Sequence, residues 1–322
     1  MRQQLEKTLS HVSQRAVKHW LKTRGLEHTA ANTDLFYERL IKLIDNRSLS
    51  IDHLKNAAIE IEESGNKRIY LRNLQGTEAI SSKSALRDHL DSLNVSLVED
   101  RYQSIHQPIR PVLNYIGWFE QSPARVRMKF SETHEELEVN YETQTVTSQK
   151  ITKFVVVVVD VESGFVQVRL DPASKVHPHK DQDGKSKEEL YEDYYFRKAA
   201  ELLGSEGLKA YDLSRAAEYL TTTQPRIFRL PIEKVRTSAA SFQTYSSRRD
   251  VRDDPARRGA QLADGDNWVY EDLHGYWIQD ESEGQLSREV FMQLKRRTSM
   301  LRFLADCLEN EVEYAISRIR AI

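Results

Sequence analysis

ITKFVVVVVDVESGFVQVRLD, residues 151–171, decides the fold class. Five consecutive valines leave no polar face on the first segment, so the pattern predicts a central strand covered on both sides. VESGF supplies a turn, and FVQVRLD returns as the next strand. Upstream, RVRMKF (125–130) and ELEVNYETQTV (136–146) keep a period of two. Downstream, KSKEELYEDYYFRKAAELLG (185–204) reads as a helix with Ser186 and Glu189 as a capping-box pair and Gly204 placed to end it. DLSRAAEYLTT (212–222) is a further helix, and RIFRLPIEKVRT (226–237), SAASFQTY (238–245) and WVYEDLHGYWI (268–278) are strand-like. The sum is an α+β fold built on a mainly antiparallel sheet with flanking helices.

The first hundred residues carry the helical period instead. Val12, Ala16, Trp20 and Leu21, then Leu35, Leu40 and Ile41, recur at spacings of three and four, with Thr33 placed to cap the second helix. SIDHLKNAAIEIEE (50–63) follows with Ser50 as cap and a stop at Gly65; GNKRIYLRNL (65–74) reads as a strand and SSKSALRDHLDSLN (81–94) as a short helix. The prolines of IHQPIRPV (105–112) break that pattern, which sets the expected division at a helical module, 1–115, and an α+β domain, 116–322. The last 37 residues, LSREVF to IRAI (286–322), present Val290, Leu294, Leu301, Leu304, Leu308, Val312, Ala315 and Ile319 at helical spacing. They predict one long amphipathic helix able to pair two copies of the chain through residues 286–320, a homodimer.

Composition excludes several classes. Among 322 residues 39% are hydrophobic and 30% charged, too ordered for a disordered chain, and no apolar run approaches the length of a membrane span. The N-terminus lacks the apolar stretch of a signal peptide, and Cys307 is the only cysteine, so a cytoplasmic, reducing setting is expected with neither disulfide nor multi-cysteine zinc site. Net charge is −2, so a nucleic-acid surface must come from local clustering.

One such cluster is VKHWLKTRGLEHTAANTDLFYERL, residues 17–40. Leu21, Lys22, Arg24, Gly25 and Leu26, followed by Leu35, resemble the SAP motif, a helix, extended joint and helix unit that binds DNA. Ala30 and Asn32 stand where that pattern has a small residue and a lysine, and Arg39-Leu40 arrive one residue late. The resemblance implies DNA binding; independently of it, Lys18, Lys22, Arg24, Arg39 and Lys42 could stand on one helix pair and meet phosphates. A second basic cluster, Arg248, Arg249, Arg252, Arg257 and Arg258, alternates with Asp250, Asp253 and Asp254, and reads as a long polar loop available to phosphates or to an acidic partner.

Catalytic signals are sparse. His177 and His179, with Asp181, Asp183 and Gly184, suggest a metal loop, although the lysines and proline around them favour a solvated connector. Asp160 stands where a metal-dependent nuclease keeps a strand-end carboxylate, but Gln167-Val168-Arg169 lacks the second one. No phosphate-binding glycine loop, Gly-x-Ser-x-Gly elbow or Cys/His nucleophile arrangement is present in the chain. The expectation is a non-enzymatic, cofactor-free nucleic-acid-binding or adaptor protein. The alternatives are a divergent nuclease or hydrolase around Asp160, or an interaction subunit presenting the aromatic segment NWVYEDLHGYW (267–277) to a protein partner.

Overall fold

The structure, a computed structural model, describes residues 1–10, 12–76, 80–95, 112–119, 124–140, 145–171, 187–222, 226–239, 241–304 and 306–322. Four helices open the chain: α1 (Arg2–Thr8), α2 (Gln14–Thr23), α3 (Thr33–Asp45) and α4 (Ile51–Ser64). Then come β1 (Arg68–Gln75), α5 (Lys83–Ser92), β2 (Val112–Phe119), β3 (Arg125–Asn140), β4 (Thr145–Asp160), β5 (Phe165–Leu170), α6 (Lys187–Leu202) and β6 (Gly207–Ala210). The chain continues through α7 (Ser214–Thr222), β7 (Phe228–Arg236), β8 (Phe242–Ser246), α8 (Pro255–Asp264), β9 (Val269–Trp277), β10 (Val290–Lys295), β11 (Met300–Phe303) and α9 (Glu309–Arg320). The protein is therefore α+β with a mainly antiparallel sheet, as the period switch near residue 124 predicts.

The chain forms two compact units, one of Met1–Lys67 with Asp212–Ile322, the other of Arg68–Tyr211. Their bounds differ from the division expected at 115/116. In the Arg68–Tyr211 unit the strand order is β2-β3-β4-β5-β1, with β6 on β1. The valine run lies in β4, between β3 and β5, and Val155 to Val159 are all buried, so the strand is covered on both faces as its sequence requires. Gly164, at φ 67°, makes the β4–β5 turn. Tyr195 of α6 is buried with its ring edge-on to Phe130, 5.8 Å between centroids. Gly204 ends that helix in the left-handed conformation, φ 61°; the proposed cap Ser186 lies outside the described residues.

The other unit packs α1 to α4 with the C-terminal segment. Leu5, Trp20, Leu21, Phe36, Leu40 and Leu54 form one buried cluster that also takes in Leu308. Beside this cluster runs a sheet ordered β11-β10-β9-β7-β8. Gly275 of β9 is a point where no side chain fits: a Cβ there would stand 2.2 Å from Phe228 Cζ and 2.7 Å from the Arg229 carbonyl oxygen. Gly275→Ala is expected to cost about 1–3 kcal/mol through overpacking, read as a lowered urea midpoint.

The long C-terminal helix is corrected by the structure. Residues 290–303 are a hairpin, β10 and β11, paired from Met292↔Phe303 to Lys295↔Met300, and only Glu309–Arg320 are helical. Val290, Met292 and Leu294, with Leu301 and Phe303, satisfy a period of two as well as Val290, Leu294 and Leu301 satisfy a helical one. The polar Arg296–Ser299 turn decides between them, with Ser299 at φ 52°. Val312, Ala315 and Ile319 of α9 are buried within the chain, as are Val290, Leu294, Leu301 and Leu308, so of the stripe expected to pair two copies Leu304 alone is exposed.

Candidate nucleic-acid interface

Helix α2 is fixed from both ends. Ser13 accepts the Ala16 N–H at 3.0 Å, and Ala16, Val17, Trp20 and Leu21 turn inward. At the other end Leu26 N–H donates to Leu21 O and Gly25 N–H to Lys22 O, both at 3.0 Å, around a left-handed Gly25. This is a Schellman ending with Leu26 as its apolar contact, so the Arg-Gly-Leu that carries the SAP resemblance has a local job of its own in stopping the helix. The second helix is capped by Asn32, which accepts the Leu35 N–H at 2.9 Å, where Thr33 was expected. Its inward stripe is Phe36, Leu40 and Leu43, while Leu35, the leucine at the motif position, is 40% exposed. The whole stripe is thus displaced by one residue from the motif, in step with the late Arg39-Leu40.

The predicted cations divide by what they touch. Lys18 donates to the Ala30 carbonyl at 3.0 Å and stands 5.6 Å from the Phe36 ring centroid, closing the joint between the helices. The Arg24 guanidinium lies 3.8 Å from the Trp20 ring centroid with Glu60 at 3.8 Å, and Arg39 pairs with Glu27. Lys22 and Lys42 are exposed. Arg15, which the sequence reading did not single out, is exposed on α2 as well, and the helix Gln14–Thr23 contains no acidic residue.

The arginine-rich segment is not the long polar loop it was expected to be. After an Asp250-capped turn at Val251–Asp253, Asp254 accepts the Ala256 N–H at 2.8 Å, and Pro255 occupies the first position of α8. Arg252 donates to Asp250 Oδ1 at 2.8 Å, to Phe228 O at 2.7 Å and to Leu220 O at 3.2 Å, tying three stretches together. Arg257 is buried and forms a two-pronged pair with Glu233, 2.7 and 3.1 Å. Arg258 caps the Asp253 carbonyl at 2.7 Å while remaining exposed; Arg248 and Arg249 are exposed on the turn after β8. Of the five arginines, the two most strongly held serve the fold, which removes them from any phosphate.

His177, His179, Asp181 and Asp183 lie outside the described residues. Among the described residues no group of three His, Cys, Asp or Glu side chains is placed to hold a metal ion. Asp160 is buried at the β4–β5 turn, where it accepts the Ser163 N–H at 3.3 Å; Gln167 and Arg169, both buried, bond to each other at 2.7 and 3.0 Å. Cys307 is buried and its thiol pKa is pushed up by burial, leaving no thiolate at neutral pH. In the aromatic segment Trp268, Tyr270 and Trp277 are buried, so most of it is core; Tyr276 alternates outward. Among the described residues no helix is long and apolar enough to cross a membrane. No family model matches the chain, and no curated protein matches it significantly.

Proposed function

We propose that the protein is a non-enzymatic DNA-binding component that holds the phosphate backbone against the outward side of α2. One observation supports this above the others: in a chain of net charge −2, α2 offers Arg15, Lys18 and Lys22 at spacings of three and four, continues into Arg24, and carries no carboxylate. Arg15 and Lys22 are the exposed members and make the first contacts; Arg24, stacked on Trp20, presents a guanidinium already ordered for a phosphate. Lys42, exposed on α3, is a further cation of the same helix pair and is not needed for the contact. A cytoplasmic setting belongs to the same reading, supported by the single reduced cysteine.

Contacts to about three phosphates give a log–log salt slope near −3, so affinity for duplex DNA should fall tens-fold between about 50 and 200 mM salt. The Arg15→Glu, Lys22→Glu double variant touches only exposed side chains and should bind at least about tenfold more weakly with unchanged thermal stability. Fluorescence anisotropy with a labelled duplex measures both. Duplex binding that ignores salt, or that survives the double variant intact, would sink the proposal.

A further inference from the structure

The sheet of the Met1–Lys67 and Asp212–Ile322 unit buries one face and leaves the other partly exposed. Inward along β7, β9 and β10 point Glu233, Val235, Leu273, Trp277, Met292 and Leu294. Register then fixes what stands outward in successive rows across the strands. Arg229, Tyr276 and Phe291 form the first row, and Ile232, His274 and Gln293 the second. Thr244, Lys234, Asp272 and Lys295 form the third, and Phe242 beside Arg236 begins the fourth, next to the Arg296–Ser299 turn. Aromatic rings therefore stand at two ends of this face, about 20 Å apart in the strand direction, with basic side chains between and around them.

Each aromatic end borders a cleft. At the first, Arg229, Arg248, Ile232, Tyr276 and Phe291 line about 420 Å³; the two rings are 4.6 Å apart and the Arg229 guanidinium lies 4.3 Å from the Tyr276 centroid. At the second, Phe242, Lys234, Arg236, Lys295, Arg296 and Arg297 line about 580 Å³ together with Glu271, Asp272 and Thr298. Phe242 is 55% exposed, with Lys234 Nζ 4.6 Å from its ring centroid. Five cations here face two carboxylates, both already engaged. Glu271 takes Arg236 at 3.3 Å and Arg296 at 3.1 Å, and Asp272 accepts the Gln293 amide at 2.9 and 3.0 Å. Lys234, Lys295 and Arg297 make no ion pair among the described residues.

We infer that this face is a second binding site, for single-stranded nucleic acid, in which bases stack on Phe242, Tyr276 and Phe291 while phosphates lie against Lys234, Lys295 and Arg297. Cations alone would suit any polyanion; rings set among them, Phe242 exposed and Tyr276 and Phe291 half-buried, suit an unpaired base, because every base offers a flat π surface and a duplex keeps its own buried in the stack. An acidic peptide has a use for the lysines and none for the rings. The inference deepens the nucleic-acid reading above by naming a ligand class, yet it uses a different surface from α2, so each can fail alone.

The test is titration of labelled oligo(dT) and of a duplex with the full chain, alongside Tyr276→Ala, Phe242→Ala, Lys295→Glu and the α2 double variant, each checked for unchanged melting. Oligo(dT) affinity should fall about tenfold or more for each ring removed and for Lys295→Glu, while duplex affinity responds to the α2 variant only. Absence of oligo(dT) binding by the wild type overturns the site while leaving the α2 proposal standing if the duplex still binds. A polyglutamate competitor that displaces oligo(dT), with affinity indifferent to the rings, assigns the face to an acidic protein partner and overturns it too. Ring-dependent oligo(dT) binding with no α2-dependent duplex binding upholds the site and removes the α2 proposal.

Discussion

Glu311→Ala should lower the free energy of unfolding by about 3–5 kcal/mol, because it leaves buried donors facing an empty space where a carboxylate was. Glu311, in the first turn of α9, is fully buried and spends both oxygens. Oε1 meets His19 Nε2 at 2.8 Å, Ser287 Oγ at 3.1 Å and Arg288 Nε at 3.3 Å; Oε2 accepts the Leu308 N–H at 3.0 Å and Arg288 Nη2 at 3.3 Å. One side chain thus binds α9 to α2 and to the segment before β10. Glu311→Gln keeps the shape and loses the charge, so a smaller cost, about 1–3 kcal/mol, is expected. Urea unfolding measures both; the exposed Glu38→Ala should stay within about 0.5 kcal/mol of wild type. An alanine variant as stable as that control would show that the network does not hold the helix.

The same carboxylate predicts a pH dependence. Burial by itself would raise its pKa, but the hydrogen bonds from His19 and Leu308 and the charge of Arg288 outweigh burial, and the pKa is held below the ordinary value. A group depressed in the folded state contributes stability that is complete above its unfolded pKa and fades as pH falls through the folded one. Stability supplied by Glu311 should therefore be intact at neutral pH and drain away below the ordinary glutamate range, about 4.3. In Glu311→Gln that part of the acid limb should flatten.

What the sequence disclosed follows from how local each signal is. The five valines of β4 admit one environment, and Ser50 with Gly65 brackets α4 by capping chemistry that needs no distant partner. Residues 286–322 failed because an apolar residue every four positions also falls on every second one, and the turn that settles it, Arg296–Ser299, is basic and polar without glycine or proline. The outward sheet face was illegible for a deeper reason. Phe242, Lys234, Tyr276 and Phe291 belong to four strands, and only the pairing registers bring them to one surface. Within its own strand each is an ordinary alternating residue. The helix pair was legible as a unit, yet its sequence could not tell Leu35 from Phe36 as the packing residue.

Arginine is where composition misled most, and Arg257→Ala is the variant that shows it. Read in sequence, Arg257 is one of five arginines for phosphate; in the fold it stands beneath the sheet, on the face opposite Lys234 and Arg236, with Glu233 fully buried against it. Its remaining nitrogen donates to Gln261 at 2.6 Å, whose amide in turn donates to the Tyr270 hydroxyl at 2.9 Å, so α8 is fastened to β7 and β9 through one guanidinium. Truncation strands a buried carboxylate, and the expected loss is about 3–5 kcal/mol. Replacing Glu233 and Arg257 together with leucine and methionine should recover most of it, because the cost lies in the orphaned charge rather than in the missing attraction. Arg248→Ala, on the exposed turn, should leave unfolding unchanged. If Arg257→Ala instead melts like wild type but binds DNA more weakly, the guanidinium reaches phosphate after all and α8 is held by something else. Under the geometry described, the two arginines part company in the opposite sense: one is read in urea, the other only in a binding titration.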